Sequence, residues 1–344
     1  MRKGKFAGAI AGLSLLAFLM GSWANPRGAA GAEKQRLIFN WIPYALHTGF
    51  YVAKERGYYK AAGFDVTLDR GYGSSDTAKK IAAGVGNVGL SDFPAVIRGR
   101  ATAGLKIKAV GVLLDRSVNV IYARDDRGIR KPTDLIGKTI GAPKVSALRS
   151  TFPALAKMNG IDPNGVNWVN MPGSALHSAL ISGKVDSIAT FSTIGPKLLP
   201  KALKNNVVVN PILFSDYGLD LYSVTMIVQD KEIQKNPGRL RRFVEASWRG
   251  VAHAVENPGP AVKDLIKNRG ALSEATERKV WRIVVNHLMT PYQRIHGLGQ
   301  MSAAKTKLTR DITFKAHNIT KDIPVEDLYT NAFLPKLFPS RASW

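Results

Sequence analysis

Three side chains able to grip a planar molecule fall within seven residues: Trp41, Tyr44 and His47, in "NWIPYALH". An indole stacks on flat groups, and phenol and imidazole add hydrogen bonds. Pro43 stiffens the turn between them. A second cluster, "GYGSSDTAKKIAAG" (71–84), leads into a helix through Gly73, Ser74 and Ser75. Its backbone N–H groups and helix dipole suit an anion or a polar ligand atom. "GLSDFP" (89–94) ends a short strand at Asp92, a carboxylate able to accept from a ligand amine or to cap the next helix. "GAPKVSALRS" (141–150) places Ser146 and Arg149 at another helix start, where an arginine can hold a carboxylate or sulfonate with two parallel hydrogen bonds. Phe191 closes a further strand, and Tyr217 stands in "SDYG". Each has a structural alternative: core packing for Trp41, Phe191 and Tyr217, capping for His47, Ser74, Ser75 and Asp92, and a surface ion pair for Arg149.

The elements expected to hold these residues alternate. Strands are expected at 36–41, 64–69, 86–91, 106–114 and 118–124, with helices at 47–56 and 76–83. The pattern restarts after "GIRKPTDLIGKTIGAP" (128–143), with strands at 138–142, 167–171, 185–191 and 207–214 and helices at 151–158 and 175–181. One more strand, 223–229, follows "FSDYGLDLY", and from Pro237 the chain reads as helical. Alternation of this kind implies parallel pairing with helices on both faces. Leu240, Phe243, Val244, Trp248, Val251 and Val255 recur at helical spacing on one face. A last strand returning to the first sheet makes two crossings, hence a hinge and a cleft. Ligands of open α/β sheets sit beyond the carboxyl ends of strands, where Trp41, Tyr44 and His47 lie.

Composition narrows the function. Arg2, Lys3 and Lys5 precede an apolar run, Phe6 to Met20, with small-residue cleavage candidates after Ala24 and Ala32. This is a secretory signal, residues 1–32, too short an apolar run to span a bilayer. There is no cysteine, which excludes thiolate metal sites, cysteine nucleophiles and a lipid-anchored cysteine. The expected address is the periplasm. The formal charge of +24 is scattered, with "RLRR" (239–242) its densest run. Export and the absence of a long basic cluster argue against a nucleic-acid partner. No H-E-x-x-H, no G-x-S-x-G and no paired carboxylates stand out. The expectation is no enzyme, no catalytic residue, no metal and no cofactor.

The chain resembles the periplasmic solute-binding proteins of ABC importers, in the family that covers nitrate, taurine and sulfonate binders and thiamine-pyrimidine-precursor binders. The resemblance rests on "NWIPYALHTGFYVAKERGYYKAAGFDVTL" (40–68), "GYGSSDTAKKIAAGVGNVGLSD" (71–92), "GIRKPTDLIGKTIGAP" (128–143), "FPALAKMNGID" (152–162), "GKVDSIATF" (183–191) and "FSDYGLDLY" (214–222). It implies a type II two-lobe α/β fold with a helical C-terminal tail. Lobe one would hold 33–123 and 223–344, and lobe two 124–222. In this family the ligand contacts map onto Trp41 to Gly49, Gly73 to Ser75 and Ser146 to Arg149. The partners implied are a small-molecule ligand and an inner-membrane permease with its ATPase, served by a monomer. A related enzyme branch makes the thiamine pyrimidine from a vitamin B6 cofactor, but its cysteine-rich iron motif has no counterpart here. A sulfonate, a taurine- or nitrate-like anion or an aromatic carboxylate would use both the aromatics and Arg149. A neutral pyrimidine precursor would use the aromatics and Asp92 and leave Arg149 idle. A nutrient-sensing binding protein is the remaining alternative.

Overall fold

The computed structural model describes residues 31–340; the expected signal segment lies outside them except for its last two residues. Ten strands form: β1 Glu33–Ile38, β2 Phe64–Asp69, β3 Val88–Asp92, β4 Ile107–Val112, β5 Asn119–Arg124, β6 Thr139–Ala142, β7 Asn167–Asn170, β8 Ser187–Phe191, β9 Val209–Leu213 and β10 Val224–Gln229. They make two five-stranded sheets, in the orders β2-β1-β3-β10-β4 and β7-β6-β8-β5-β9.

The expectation of parallel pairing holds for β1, β2 and β3 and for β6, β7 and β8. It fails for β10, antiparallel to β3 and β4, and for β5, antiparallel to β8 and β9. The reason is where these two strands enter. Each arrives directly from the other sheet, beside the carboxyl ends of the strands it joins, and so runs away from them. The register shows this: Asn119, first in β5, faces Phe191, last in β8, and Val224, first in β10, faces Asp92, last in β3. Both crossings therefore sit at the strand ends where ligands of α/β sheets bind.

Central strands covered on both faces read as unbroken buried runs rather than alternations. All five residues of β3 and of β8 are buried. Edge strand β2 keeps the alternation, with Phe64 and Val66 inward and Asp65 and Thr67 outward. The C-terminal helices cover sheet one. Pro237–Glu256 buries the expected face, Leu240 through Val255. It crosses the helix Thr48–Glu55 at Gly49 and Gly250, where a Cβ on Gly250 would stand 2.2 Å from the Gly49 carbonyl oxygen. The helix Ala303–His317 packs against Phe93–Ala103 and also against Ala147–Met158. There His317 Nε2 lies 2.6 Å from the Ser150 carbonyl and Lys157 Nζ donates to the Lys315 carbonyl.

Candidate functional site

Strand β1 ends at Ile38, three residues earlier than the sequence suggests, so Trp41 stands in the bend that follows. Its carbonyl accepts from Gly71 N–H at 3.0 Å, tying the bend to the loop after β2. A 3-10 turn, Ala45–His47, then leads into Thr48–Glu55. His47 folds back inside this turn: Nδ1 is 3.3 Å from Tyr44 N, Nε2 is 3.1 Å from Asn40 Oδ1, and the ring lies 4.2 Å from that of Phe39.

From this bend Asn40, Trp41 and Tyr44, with Gly73 and Ser74, form one wall of a cleft. Ser146, Ala147, Leu148, Ala189, Thr190, Phe191 and Ile194 form the other. Between them is about 360 Å³ of space free of protein atoms, part of it open to solvent. None of the twelve lining residues carries a charge. Two helix N-termini open onto it: Ser74 begins the nine-residue helix Ser74–Ala82, and Ser146 caps Ala147–Met158. Where the two meet, Ser75 N–H donates to the Val145 carbonyl at 3.2 Å and the Ser75 and Ser150 hydroxyls are 3.2 Å apart.

An outer chamber shares Trp41, Tyr44, Thr190 and Ile194 and adds Ile42, Gly173, Ser174, Leu176, His177 and Lys197. Three contacts bridge its rim. The Tyr44 hydroxyl is 2.7 Å from Thr193 Oγ1. Lys197 Nζ is 2.6 Å from Glu277 Oε1. The other oxygen of Glu277 accepts from Ala45 N–H at 2.7 Å. Tyr44 and Ala45 follow β1 of sheet one, whereas Thr193 and Lys197 follow β8 of sheet two. Burial raises the Tyr44 phenol well above its ordinary value, so it stays protonated. Burial, with Lys201 and Lys197 nearby, pushes His177 down to about 4, so it is neutral.

A family profile described as NMT1/THI5 like matches residues 45–261. The chain belongs to the NMT1/THI5-like family. Among its relatives, a formylaminopyrimidine-binding protein of Halalkalibacterium halodurans is 26% identical over 69% of this chain and 71% of its own length. The riboflavin-binding protein RibY of Chloroflexus aurantiacus is 26% identical over 90% of this chain and 88% of its own. A 4-amino-5-hydroxymethyl-2-methylpyrimidine phosphate synthase of Legionella pneumophila is 23% identical over 87% and 92%. Of solved structures, the alkanesulfonate-binding protein SsuA of Xanthomonas axonopodis pv. citri, bound to MOPS, superposes with a TM-score of 0.68 at 15% identity, covering 88% of this chain and 99% of that one. The periplasmic aliphatic sulphonate binding protein SsuA of Escherichia coli does so at 0.64 and 14%, covering 91% and 96%. The fold is thus that of the two-lobe periplasmic binding proteins.

In this NMT1/THI5-like protein the cleft gathers six of the twelve residues singled out in the sequence: Trp41, Tyr44, Gly73, Ser74, Ser146 and Phe191. Ser75 stands beside it in the contact with Val145 and Ser150. The other five lie elsewhere. His47 is fully buried behind Asn40. Gly49 serves the helix crossing, since a Cβ there would stand 2.6 Å from Val251 Cα. The Arg149 guanidinium lies over the Trp168 ring at 4.6 Å and points its Nη2 at the Ala142 carbonyl. Tyr217 packs on the core at the second crossing. Asp92 is buried, does not cap its helix, and accepts from the Ser223 hydroxyl at 2.8 Å. Asn40, Leu148, Thr190, Lys197 and Glu277 were not singled out. Asn40 alone carried a signal, its place just past β1.

Two of these buried groups set opposite pH dependences. Burial lifts Asp92 from 3.8 to about 7, against hydrogen bonds from Ser223 and Thr151 that lower it. The unfolded chain loses that proton near pH 4, so Asp92 makes the fold less stable as pH rises from about 4 to 7. Burial pushes His47 from 6.5 to about 3, so it makes the fold less stable as pH falls through that window. The Asp92→Asn variant should therefore gain stability over the wild type at pH 8 relative to pH 5, measured by urea unfolding. An equal difference at both values would show that Asp92 is ionised in the fold throughout.

Proposed function

We propose that the protein captures a small ring-bearing molecule in this cleft and delivers it to an ABC importer. The observation that carries the reading is an uncharged cleft walled by Trp41, Tyr44 and Phe191 and met by two helix N-termini. Aromatic walls favour a flat ring. Helix N-termini favour electron-rich oxygens, such as ring carbonyls, and no lysine or arginine is among the residues lining the cleft, while Arg98 Nη2 lies 3.4 Å from the Ser75 and Ser150 hydroxyls where the two helix starts meet. Relatives named for formylaminopyrimidine and riboflavin binding support such a ligand. A binding role rather than catalysis is supported by those two names and by the lack of cysteine. The lobes would be 33–123 with 223–344, and 124–222, hinged at the two crossings. The protein would work as a monomer in the periplasm after loss of its leader and hand its ligand to a permease driven by an ATPase. A ligand that contacts both walls favours the closed form through its greater affinity for it.

A sulfonate is the second reading, favoured by the same helix N-termini and by the MOPS-bound structural neighbour. Thermal shift with a formylaminopyrimidine, riboflavin and MOPS separates the two. At 100 times its dissociation constant a true ligand stabilises by about 2.7 kcal/mol. The ring compounds should raise the melting temperature, and Trp41→Ala should weaken them by more than about 1 kcal/mol, the loss expected of ring stacking. A shift with MOPS alone selects the sulfonate, and full affinity in Trp41→Ala removes the stacking site.

A further inference from the structure

Away from the cleft, two helices turn chemistry outward. The helix Glu274–Leu288 buries Glu277, Val280, Trp281, Val284 and Val285 on one side. On the other, Ala275, Arg278, Lys279, Arg282 and Ile283 recur at spacings of three and four and wall a hollow. The hollow has about 1270 Å³ of space free of protein atoms, part of it open to solvent. The turn Pro258, Gly259, Pro260 also lines it, and the Arg278 guanidinium rests on that turn: a Cβ on Gly259 would stand 2.9 Å from Arg278 Nη2. Pro196 joins the lining from the helix Gly195–Lys204, which follows β8 of sheet two. From Pro196 an apolar row continues along one face of that helix through Leu199, Pro200 and Leu203. Leu199 is 39% and Leu203 69% exposed, while Leu198 and Ala202 point inward and are buried. Single exposed apolar residues are ordinary, but a row that runs out of a hollow marks a contact surface.

We infer that the hollow and the row together dock an acidic amphipathic segment of a protein partner, its apolar side chains on Leu199 and Leu203 and its Asp or Glu on Lys279 and Arg282. The inference does not depend on which small molecule the cleft takes. Arg278, Lys279 and Arg282 stand against Glu256 in the lining, so an acidic segment matches the hollow in charge. Glu274 already pairs with Arg278 at 2.9 Å, and Lys279 and Arg282 are the exposed cations of the wall. A second copy of this chain, at +24, would bring like charge to the surface. A bilayer is flat on this scale and cannot follow a hollow stiffened by three prolines. The two helices meet at the Lys197–Glu277 pair, so the hollow and the row make one surface while that pair holds.

The test places photoreactive benzoylphenylalanine at position 203 or 275, both exposed, in the full chain within the organism that makes it. After irradiation, mass spectrometry identifies the cross-linked peptides. Both positions should reach one segment of one partner protein, with Asp or Glu set among apolar residues at helical spacing. Lys279→Glu with Arg282→Glu should lower the yield by about tenfold or more, because like charges then face each other. Both positions are exposed, so the fold is spared. Lys231→Glu with Lys235→Glu makes the same charge change on the helix Asp230–Lys235, outside the hollow, and should leave the yield unchanged. Equal losses in the two double variants would trace the contact to net charge and overturn the docking surface. Cross-links to lipid alone, to a second copy of the chain, to a segment without acids or to nothing also overturn it. A partner that belongs to a receptor and not to an importer leaves the surface standing and removes the importer reading.

Discussion

Replacing Lys197 by alanine lowers ligand affinity by at least tenfold and expands the protein in solution. Glu277 is why. Its side chain is 1% exposed, against 22% for Lys197, and the two meet at 2.6 Å. Removing one partner of a buried pair leaves the other charge without water or countercharge, a loss of about 3–5 kcal/mol where both are fully buried. Lys197 is partly exposed, so a smaller figure, about 1.5–3 kcal/mol, fits here. Lys197 belongs to the helix Gly195–Lys204, after β8, and Glu277 to Glu274–Leu288, on the other side of the rim. Opening the cleft lets water reach Glu277, so the loss falls on the closed form and not on either sheet. A shift of about 1.4 kcal/mol in that equilibrium changes apparent affinity tenfold. Small-angle scattering should show a larger radius of gyration for Lys197→Ala, and calorimetry a weaker ligand. Adding Glu277→Gln should return much of the loss, because a neutral amide can still accept from Ala45 N–H. An unchanged radius and affinity in Lys197→Ala would show that the pair does not hold the rim.

The Lys197–Glu277 pair and the cleft were legible to different degrees, for physical reasons. Strand ends carry a strong local signal: an apolar run stops and a turn residue follows. That is why Trp41, Ser74, Ser146 and Phe191 could be placed at the cleft from their spacing. Side-chain direction carries no such signal. Ser146 and Arg149 lie three residues apart at one helix start, yet Ser146 lines the cleft while Arg149 turns to Trp168. A long side chain takes the ring within reach, and the sequence does not show that Trp168 stands there. Strand direction was hidden for a similar reason, since β5 and β10 read locally like their parallel neighbours and only the crossings reverse them. The helix Gly195–Lys204 was not among the expected elements, and its two prolines, Pro196 and Pro200, weaken the helical signal of that stretch. Pro196 lies in the first turn, where no intrahelical donor is lost. Glu277 and Lys197 meet across a long stretch of intervening chain, and nothing in either segment announces it.

Gly173→Ala should weaken the ligand by more than about tenfold without loosening either sheet. Gly173 begins the 3-10 turn Gly173–Ala175 that follows β7, and the edge of Trp41 rests on it. A Cβ at this position would stand 2.3 Å from Cζ2 and 2.7 Å from Cη2 of the indole. No real contact of that kind survives, so something must move. If the indole swings inward, it takes up space between the walls that a ligand would need. If the indole stays, the turn and everything attached to it must retreat, which parts the walls. Either way the bound form is disfavoured, and overpacking of this sort costs about 1–3 kcal/mol. The strain exists only when the walls meet, so unfolding by urea should report little change. A double-mutant cycle isolates the cause. With Trp41→Ala already in place, the methyl group that Gly173→Ala introduces meets no indole, and adding it should leave affinity where Trp41→Ala put it. Losses that simply add in the double variant would mean that Gly173 acts through its own loop and not through Trp41.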